Sequence, residues 1–305
     1  MNWRQTSAEH CADNSVRHPI ADSPTVTALD PKPDSGQRGI QSIEVGGQLL
    51  HALAHQGRAM ALKDLAAAAG MAAAKAHPYL VSLGKIGLVE QDRASGRYGL
   101  GPLALQLGLM SLHQADPVRL ATPVIEDLAQ QTGHTVAMAV WGTRGPTIVR
   151  LAESPAAVHV NMRHGTVVSI AGTASGQLFA AFLPEAMARP LYEAERRAGR
   201  AAAAAGAAVA AGGPGRVPLP PWARFAQTTL AEVKAQGLGR SEGAVVTGVS
   251  ALSAPVFDHR GQTVLALTVI GPSAALDSRW DGPLAETMRR AAQALSQRLG
   301  HRSGG

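Results

Sequence analysis

The sequence predicts an α+β protein with two domains. Its 305 residues are more than one ordinary hydrophobic core needs. Residues 40–101 pass from helical periodicity into two short strands, and residues 117–305 combine helices with long apolar strands. An apolar stretch at 102–116 links the two domains. Residues 1–39 contain several prolines and show no apolar periodicity, so we expect a disordered tail there.

The small domain at 40–101 has three helical segments and a hairpin. Apolar residues recur at helical spacing over 40–56, 62–69 and 74–86, and a glycine follows each segment. Two strands are predicted at 88–92 and 97–100, around an Arg-Ala-Ser-Gly turn. This order is that of a winged helix-turn-helix, although other helix-and-hairpin modules share it. In the winged module the third helix enters the major groove of DNA and the hairpin lies over phosphates.

The charges of this domain favour a nucleic-acid partner. Its Lys and Arg residues outnumber its Asp and Glu residues by two, and the whole chain carries a net charge of +6 with a pI near 10. A basic surface attracts the phosphate backbone of double-stranded DNA. The side chains that we predict to contact DNA are Lys63, Lys75, His77, Tyr79, Lys85, Arg93 and Arg97.

The linker at 102–116 opens with a strongly apolar helix, which ends near Leu112. Two interpretations remain open for its apolar side chains. They pair with the same helix of a second subunit, which we favour, or they pack against their own domain.

The larger domain at 117–305 alternates helices with strands. Helices are predicted at 123–131, 175–182, 228–236 and 284–299, and strands at 135–141, 147–153, 158–163, 249–257 and 263–270. Residues 193–221 are dominated by Ala, Gly and Arg, which predicts a low-complexity insertion that is helical at its start. Helices over a mostly antiparallel sheet make an α+β domain suited to sensing a ligand.

Several classes of protein and site are disfavoured by the composition. The single cysteine, Cys11, allows neither an intramolecular disulfide nor a cysteine metal site. No apolar run approaches the roughly 18 residues of a membrane span, and the N-terminus lacks the apolar core of a signal peptide. His51 and His55 have the spacing of a metal pair, but without a third ligand nearby they indicate a solvated helix face. We therefore expect a cytoplasmic protein without a cofactor, a metal or a membrane partner.

Four stretches of the chain match a known family in order and spacing. They are residues 41–46, residues 79–92 with 96–101, residues 171–176, and residues 248–258 leading to Gly271-Pro272. On these stretches the chain resembles the IclR family of bacterial transcription regulators from residue 40 to residue 300. The resemblance implies a GAF-like effector-binding domain at 117–305, a homodimer or homotetramer, and a palindromic operator. It also implies repression or activation controlled by a small organic acid, either aromatic or a short-chain carboxylate.

The loop at 171–176 is the predicted effector site, because the family's pocket lies at the matching loop. Its small residues precede a predicted helix, and backbone N–H groups at a helix N-terminus bind carboxylates. A tight turn at a domain corner is the alternative. The predicted effector contacts are Gly172, Thr173, Ala174, Ser175, Gly176, Ser250, Ser253, Trp141 and Arg150, and Arg163 is a further candidate. The serines, the tryptophan and the arginines equally suit core or surface positions.

Two positions depart from the family pattern. Relatives place Ser or Thr near Ala74 and Arg at the position of Pro78; proline in a helix interior costs about 3 kcal/mol. We therefore expect weaker DNA binding than is usual in the family, with base contacts from Lys75, His77 and Tyr79. Relatives also follow the Gly-x-x-x-Ser-x-Gly motif at 237–243 with Glu, where this chain has Ala244.

Two other functions compete with a DNA-binding regulator. An enzyme would need a paired acid and base, and Glu153, Glu242 and Asp258 show no such spacing. Ser175 also lacks the Gly-x-Ser-x-Gly elbow of a hydrolase. A partner-binding or ligand-binding module with weakened DNA binding is the second alternative, and Pro78 is the residue that favours it.

Overall fold

The computed structural model describes residues 39–153, 163–204 and 218–302. The predicted tail and the strand predicted at 158–163 lie outside this part of the chain, except for Gly39 and Arg163. The chain divides into two compact units, one ending at Leu107 and the other beginning at Gly108.

The first unit has the predicted three helices and hairpin. They are α1 (Gln41–Gln56), α2 (Leu62–Ala68), α3 (Ala73–Lys85), β1 (Val89–Gln91) and β2 (Tyr98–Leu100). The strands are antiparallel, and Met60 adds a short bridge to Tyr98. Leu49, Leu65 and Leu80 are fully buried, one from each helix, because the apolar positions of each helix recur on one face.

Helix α3 begins without a capping side chain, since Ala72 occupies its N-cap. Pro78 lies in the interior of the helix, so it cannot donate a hydrogen bond to the carbonyl of Ala74. The Ser82 hydroxyl donates to the Pro78 carbonyl over 3.0 Å. The helix continues without a break through Pro78, but it is weakened by the absent cap and by the absent backbone hydrogen bond.

Helix α4 (Pro102–Gln114) follows the hairpin as predicted. None of its residues is buried within the described chain. Its apolar side chains Leu105, Leu107, Leu109, Met110 and Leu112 are 44–65% exposed. This helix therefore presents an apolar surface to solvent.

The second unit is a five-stranded sheet with helices on both faces. Its elements are α5 (Pro117–Thr132), β3 (Thr135–Gly142), β4 (Gly145–Ala152), α6 (Ala174–Phe182), α7 (Glu185–Ala204), α8 (Trp222–Phe225), a π-helical turn (Ala226–Leu230), α9 (Ala231–Gln236), β5 (Gly239–Glu242), β6 (Val249–Phe257), β7 (Thr263–Pro272) and α10 (Pro283–Arg298). The strand order is β4-β3-β7-β6-β5, and all neighbouring strands are antiparallel.

The two faces of the sheet bury different helices. Helices α5 and α10 pack on one face, where Met138, Leu252 and Leu267 point into the core. Helix α6 packs on the other face through Leu178 and Phe179. Because both faces are covered, β7 is buried along nearly its whole length, which explains its almost unbroken apolar sequence.

The structure corrects the starts of two predicted helices and adds a strand. The helix predicted at 123–131 begins at Pro117, because the Asp116 carboxylate caps it by accepting hydrogen bonds from the N–H groups of Val118 and Arg119. The helix predicted at 228–236 is preceded by helical residues from Trp222 on, and the short edge strand β5 was missed. Residues 193–204, the part of the insertion predicted to be helical, form the second half of α7, whose first half was not predicted.

Candidate nucleic-acid interface and ligand cavity

The third helix of the first unit has a packed side and an open side. Ala76 and Leu80 are buried in the core of the unit, and Tyr79 and Leu83 pack against it. The open side carries Lys75, His77, Pro78, Val81, Ser82 and Lys85, all exposed. An exposed helix face with cations at both ends suits the major groove, where a helix reads base edges between phosphate contacts.

Most of the side chains predicted to contact DNA are exposed, and one is not. Lys63, Lys75, His77, Lys85, Arg93 and Arg97 are open to solvent. Tyr79 instead packs toward Gly46 of α1, so we remove it from the contact set. Helical periodicity places residue 79 beside Ala76 and Leu83, and this signal was available in the sequence. Val81 and Ser82 were missed, although they share the open side with Pro78.

Asp92 orders the tip of the hairpin, which we call the wing. Its carboxylate accepts hydrogen bonds from the Ala94 N–H over 3.1 Å, from the Ser95 N–H over 3.2 Å and from the Ser95 hydroxyl over 2.5 Å. These bonds, that of the Ser95 hydroxyl above all, lower the pKa of Asp92 from its ordinary value. The turn fixes the backbone between Arg93 and Arg97, and the Arg97 guanidinium also reaches the Ala59 carbonyl over 3.5 Å. The two cations of the wing therefore extend from a defined backbone.

A cavity of about 90 Å³ lies in the second unit between the α6 face of the sheet and the N-terminus of α6. Its apolar walls are Ala137, Ile148, Val168, Val245, Val246, Val249, Ala251 and Ile270. Its polar lining consists of Thr173, Ser175, Ser241 and Thr268, next to Ala174. Among the residues that the structure describes, no ionisable side chain lines it.

The N-terminus of α6 presents donors to this cavity. Thr173 is the N-cap: its hydroxyl accepts from the Gly176 N–H over 3.0 Å and donates to the Ser169 carbonyl over 2.6 Å. Among the described residues, nothing accepts a hydrogen bond from the N–H groups of Ala174 or Ser175. The Ser175 hydroxyl, 3% exposed, likewise has no hydrogen-bond partner within the described chain. Three donors without an acceptor in the described chain thus lie on cavity-lining residues at the end of α6 where the helix dipole is positive.

The two glycines predicted as effector contacts serve the packing of the loop. A Cβ at Gly176 would collide with the Ser169 carbonyl oxygen, and a Cβ at Gly172 would come within 3.0 Å of the Val245 side chain. Neither residue lines the cavity, whereas Thr173, Ala174 and Ser175 do. The small residues of this loop therefore let neighbouring protein segments pack closely against it, and they can also leave room for a ligand.

Three other predicted effector contacts lie away from the cavity. Ser250 and Arg150 stand on the opposite face of the sheet. Ser250 is two residues from Leu252 on the same strand, and Arg150 is paired with Met138 on the neighbouring strand; both Leu252 and Met138 belong to the α5–α10 core. The prediction that Ser250 faces the loop is wrong; its hydroxyl bonds that of Ser273 over 2.8 Å. Trp141 packs against Phe179, with ring centroids 5.8 Å apart.

Ser253 reaches the cavity indirectly. Its hydroxyl is fully buried and bonds that of Thr268 over 2.9 Å, and Thr268 lines the cavity. Arg163, the further candidate, is exposed and lies outside the cavity lining.

Sequence reasoning missed Ser241 and Thr268 as cavity residues. The Ser241 hydroxyl donates to the Gly172 carbonyl over 2.8 Å and so joins β5 to the effector loop. The motif at 237–243 had marked Ser241, but no signal placed Thr268, because an isolated threonine in an apolar strand is common. In the described ranges, no group of three or more metal-ligating side chains occurs and no helix is long and apolar enough to cross a membrane.

The chain is similar to known regulators along most of its length. The model of the IclR helix-turn-helix domain matches residues 42–93, and that of the bacterial transcriptional regulator IclR C-terminal domain matches residues 109–204 and 226–297. The glycerol operon regulatory protein of Streptomyces griseus is 32% identical over 267 residues, covering 86% of this chain and 98% of that protein.

Solved structures agree with this similarity. The crystal structure of Pseudomonas aeruginosa HmgR is 35% identical, with a TM-score of 0.76, and covers 87% of this chain and 100% of that chain. The Agobacterium tumefaciens repressor BlcR, at 18% identity and a TM-score of 0.70, covers 88% and 100% and shares the fold. Both matched domains are regulator domains and not enzyme domains. The chain therefore belongs to the IclR family of bacterial transcription regulators, with an N-terminal DNA-binding domain and a C-terminal effector domain.

Proposed function

We propose that this regulator binds a palindromic operator as a homodimer in the cytoplasm, and that a short-chain carboxylate in the α6 cavity controls its binding. The observation that carries the effector class is the set of three donors at the cavity wall. The N–H groups of Ala174 and Ser175 and the Ser175 hydroxyl lie at a wall that holds no ionisable side chain among the described residues.

A carboxylate fits these donors better than a neutral group does. An anion at a helix N-terminus gains from the dipole as well as from the N–H groups, and hydrogen bonds to charged groups are stronger than neutral ones. In the described lining, no arginine or lysine would compete for it. One carboxylate finds free donors here, whereas a second would meet aliphatic walls and the hydroxyls of Ser241 and Thr268, which already bond to Gly172 and Ser253.

The size of the cavity favours a short chain over an aromatic ring. A cavity of about 150 Å³ accommodates benzene, whereas this one measures about 90 Å³. The aliphatic walls of Val168, Val249 and Ile270 suit a small branched or unbranched alkyl group. Between an aromatic acid and a short-chain carboxylate, we therefore propose the short-chain carboxylate.

Two features support DNA binding by a dimer. The open side of α3 and the wing carry the exposed cations that phosphates require. Helix α4 exposes five large apolar side chains, and pairing with a second copy would remove them from water.

The experiment combines ligand binding with operator selection. Purified full-length protein is titrated with isobutyrate and with isobutyramide, which has the same shape without the charge, and then with benzoate and glycerol. Glycerol is included because two similar Streptomyces proteins are named glycerol operon regulatory proteins. DNA fragments are selected by the protein with and without isobutyrate, and their affinity is measured against salt.

We expect isobutyrate to bind at least tenfold more tightly than isobutyramide and to change operator affinity. We expect Ser175→Ala to weaken isobutyrate binding by roughly tenfold, since it removes a hydrogen bond to a charged group. Ser250→Ala is the matched control, because that hydroxyl lies on the other face of the sheet. Tighter binding of glycerol or benzoate would contradict the effector class. A flat salt dependence of DNA affinity would contradict operator binding.

A further inference from the structure

A carboxylate of helix α7 contacts the loop that precedes α6. The Glu195 Oε2 atom accepts hydrogen bonds from the Ile170 N–H over 3.1 Å and from the Ala171 N–H over 3.2 Å. The two residues lie 25 and 24 positions away in sequence, so the contact joins separate elements. Glu195 does not line the cavity, and no sequence motif marked it.

The rest of this loop is fixed by its own neighbours. The Ser169 hydroxyl accepts from the Gly172 N–H over 2.8 Å, the Gln177 amide donates to the Ala171 carbonyl over 2.9 Å, and Ser241 donates to the Gly172 carbonyl. Within the described chain, the N–H groups at 170 and 171 are the ones in this loop that bond to a side chain of α7. Without Glu195, two partly buried donors would lose their acceptor, and such groups reorient to find another.

Helix α7 is a firm support for that carboxylate. Tyr192, three residues before Glu195, is fully buried; its ring stacks on Phe225 at 4.4 Å and meets the edge of Trp222 at 5.3 Å. Its hydroxyl donates to the Pro220 carbonyl over 2.8 Å. Burial raises the pKa of Tyr192 to about 12, with a smaller contribution from Glu193, so the hydroxyl remains a donor at neutral pH. Ile170 and Ala171 pack in the same cluster.

The N–H groups around the loop thus fall into two pairs. The pair at 170 and 171 binds the protein's own carboxylate, while the pair at 174 and 175, on residues that line the cavity, has no acceptor in the described chain. The two pairs are three to five residues apart along the chain, and the segment between them is held to Ser169, Gln177 and Ser241. A shift of the first pair is expected to reach the second through this short, hydrogen-bonded segment.

We propose that Glu195 is a positioning residue for the effector: by holding the N–H groups of Ile170 and Ala171, it aims those of Ala174 and Ser175 at the ligand carboxylate. This inference rests on the proposed function, since it assigns Glu195 to the same site. It predicts that ligand affinity depends on a residue that does not touch the ligand.

The test uses full-length Glu195→Gln and Glu195→Ala, with Glu185→Gln as control. Glu185 lies on the same helix and pairs with Arg189 in solvent. Amide hydrogen exchange is measured for 169–176 and for α10, isobutyrate affinity by calorimetry, and the unfolding midpoint by heating. Gln keeps one neutral acceptor oxygen, so it separates loss of the bond from loss of the charge.

We expect the Ile170 and Ala171 amides to exchange at least tenfold faster in Glu195→Ala, with an intermediate rate in Glu195→Gln and no change in α10. Isobutyrate affinity should fall in the same order, by roughly tenfold in Glu195→Ala. Glu185→Gln should match the wild type throughout. Should Glu195→Ala fail to fold, Glu195→Gln carries the same comparison at smaller amplitude.

Two results would overturn the inference. One is wild-type exchange at 170 and 171 in Glu195→Ala. The other is a uniform rise in exchange that includes α10, which would indicate general destabilisation. If the wild type fails to bind isobutyrate, the proposed effector class is wrong, while the exchange rates still decide whether Glu195 holds the loop.

Discussion

Asp92 shows how one acidic residue serves a surface that binds a polyanion. Its charge alone would repel phosphate, yet its carboxylate holds the turn that carries Arg93 and Arg97. The negative charge lowers the affinity for DNA, whereas the ordered turn raises it, and two substitutions of different geometry can separate the two effects. Removing only the charge should help DNA binding, whereas removing the acceptor as well should loosen the wing.

We predict that Asp92→Ala binds the operator several-fold more weakly than Asp92→Asn, which retains an acceptor oxygen at the same place. Both variants lose the negative charge, so their difference isolates the order of the wing. Fluorescence anisotropy with labelled operator measures it. Because the pKa of Asp92 is lowered, the carboxylate's contribution is complete above its ordinary pKa of 3.8 and is lost as the pH falls through the lowered value. Equal affinities of the two variants would show that the turn plays no part.

The candidate site was predictable from the sequence only as far as its loop. The small residues before α6 and the family resemblance marked Thr173, Ala174 and Ser175, which line the cavity. The choice between Ser250 and its neighbours depended on strand register, because a shift of one residue moves a side chain to the other face. Nothing in β6 fixes that register, since both of its faces are buried.

At the scale of elements, α3 combines two features that weaken it. Ala72 leaves the first turn uncapped, and Pro78 removes a backbone hydrogen bond from the interior. Pro78 is also exposed on the open side of the helix, between Lys75 and Ser82. The same residue therefore affects both the stability of the helix and the chemistry that it offers to DNA.

We predict that Pro78→Ala raises the unfolding free energy of the first unit, by up to about 3 kcal/mol, because it restores the bond to the Ala74 carbonyl. Pro78→Arg should do the same and also increase operator affinity by roughly tenfold. The slope of log affinity against log salt concentration should become steeper by about 1. Chemical denaturation and anisotropy titrations measure the two effects. If Arg and Ala at this position bind DNA equally well, residue 78 does not approach the phosphates.

Element boundaries were predictable where a local signal exists and not elsewhere. Gly57 and Gly133 end α1 and α5 in the left-handed conformation, at the positions the sequence indicated. The N-terminal half of α5 was missed because Pro123 suggested a start, although Asp116 and Pro117 are a cap and a first-turn proline. The end of α7 was predicted to be helical but was assigned to a low-complexity insertion, since alanine and arginine favour helices and low-complexity segments alike.

At the scale of the whole molecule, α4 is the surface that most needs a partner. Leu105, Leu109 and Leu112 recur at helical spacing and are all exposed. A palindromic operator requires two copies of α3 at a fixed separation, about one helical turn of DNA apart or a multiple of it. If α4 pairs with the same helix of a second copy, it would hold the two α3 helices at such a fixed separation.

We predict that the double variant Leu105→Glu, Leu109→Glu sediments as a monomer and binds a two-half-site operator at least tenfold more weakly, since it loses the second half-site contact. Met187→Glu is the control: it places the same charge at another exposed apolar side chain, on α7. Analytical ultracentrifugation gives the oligomeric state. A double variant that remains dimeric would assign the pairing to another surface.

The aromatic cluster of Tyr192, Trp222 and Phe225 has a consequence for how this chain can diverge. It fastens α7 to α8, the elements on either side of residues 205–221, which make up most of the stretch where the family match is interrupted. When both ends of a connection are anchored, doubling its length costs only about 0.6 kcal/mol. Insertions and deletions can therefore accumulate in that interval while the packing beneath the effector loop is preserved, and a reporter peptide grafted there would leave ligand recognition intact.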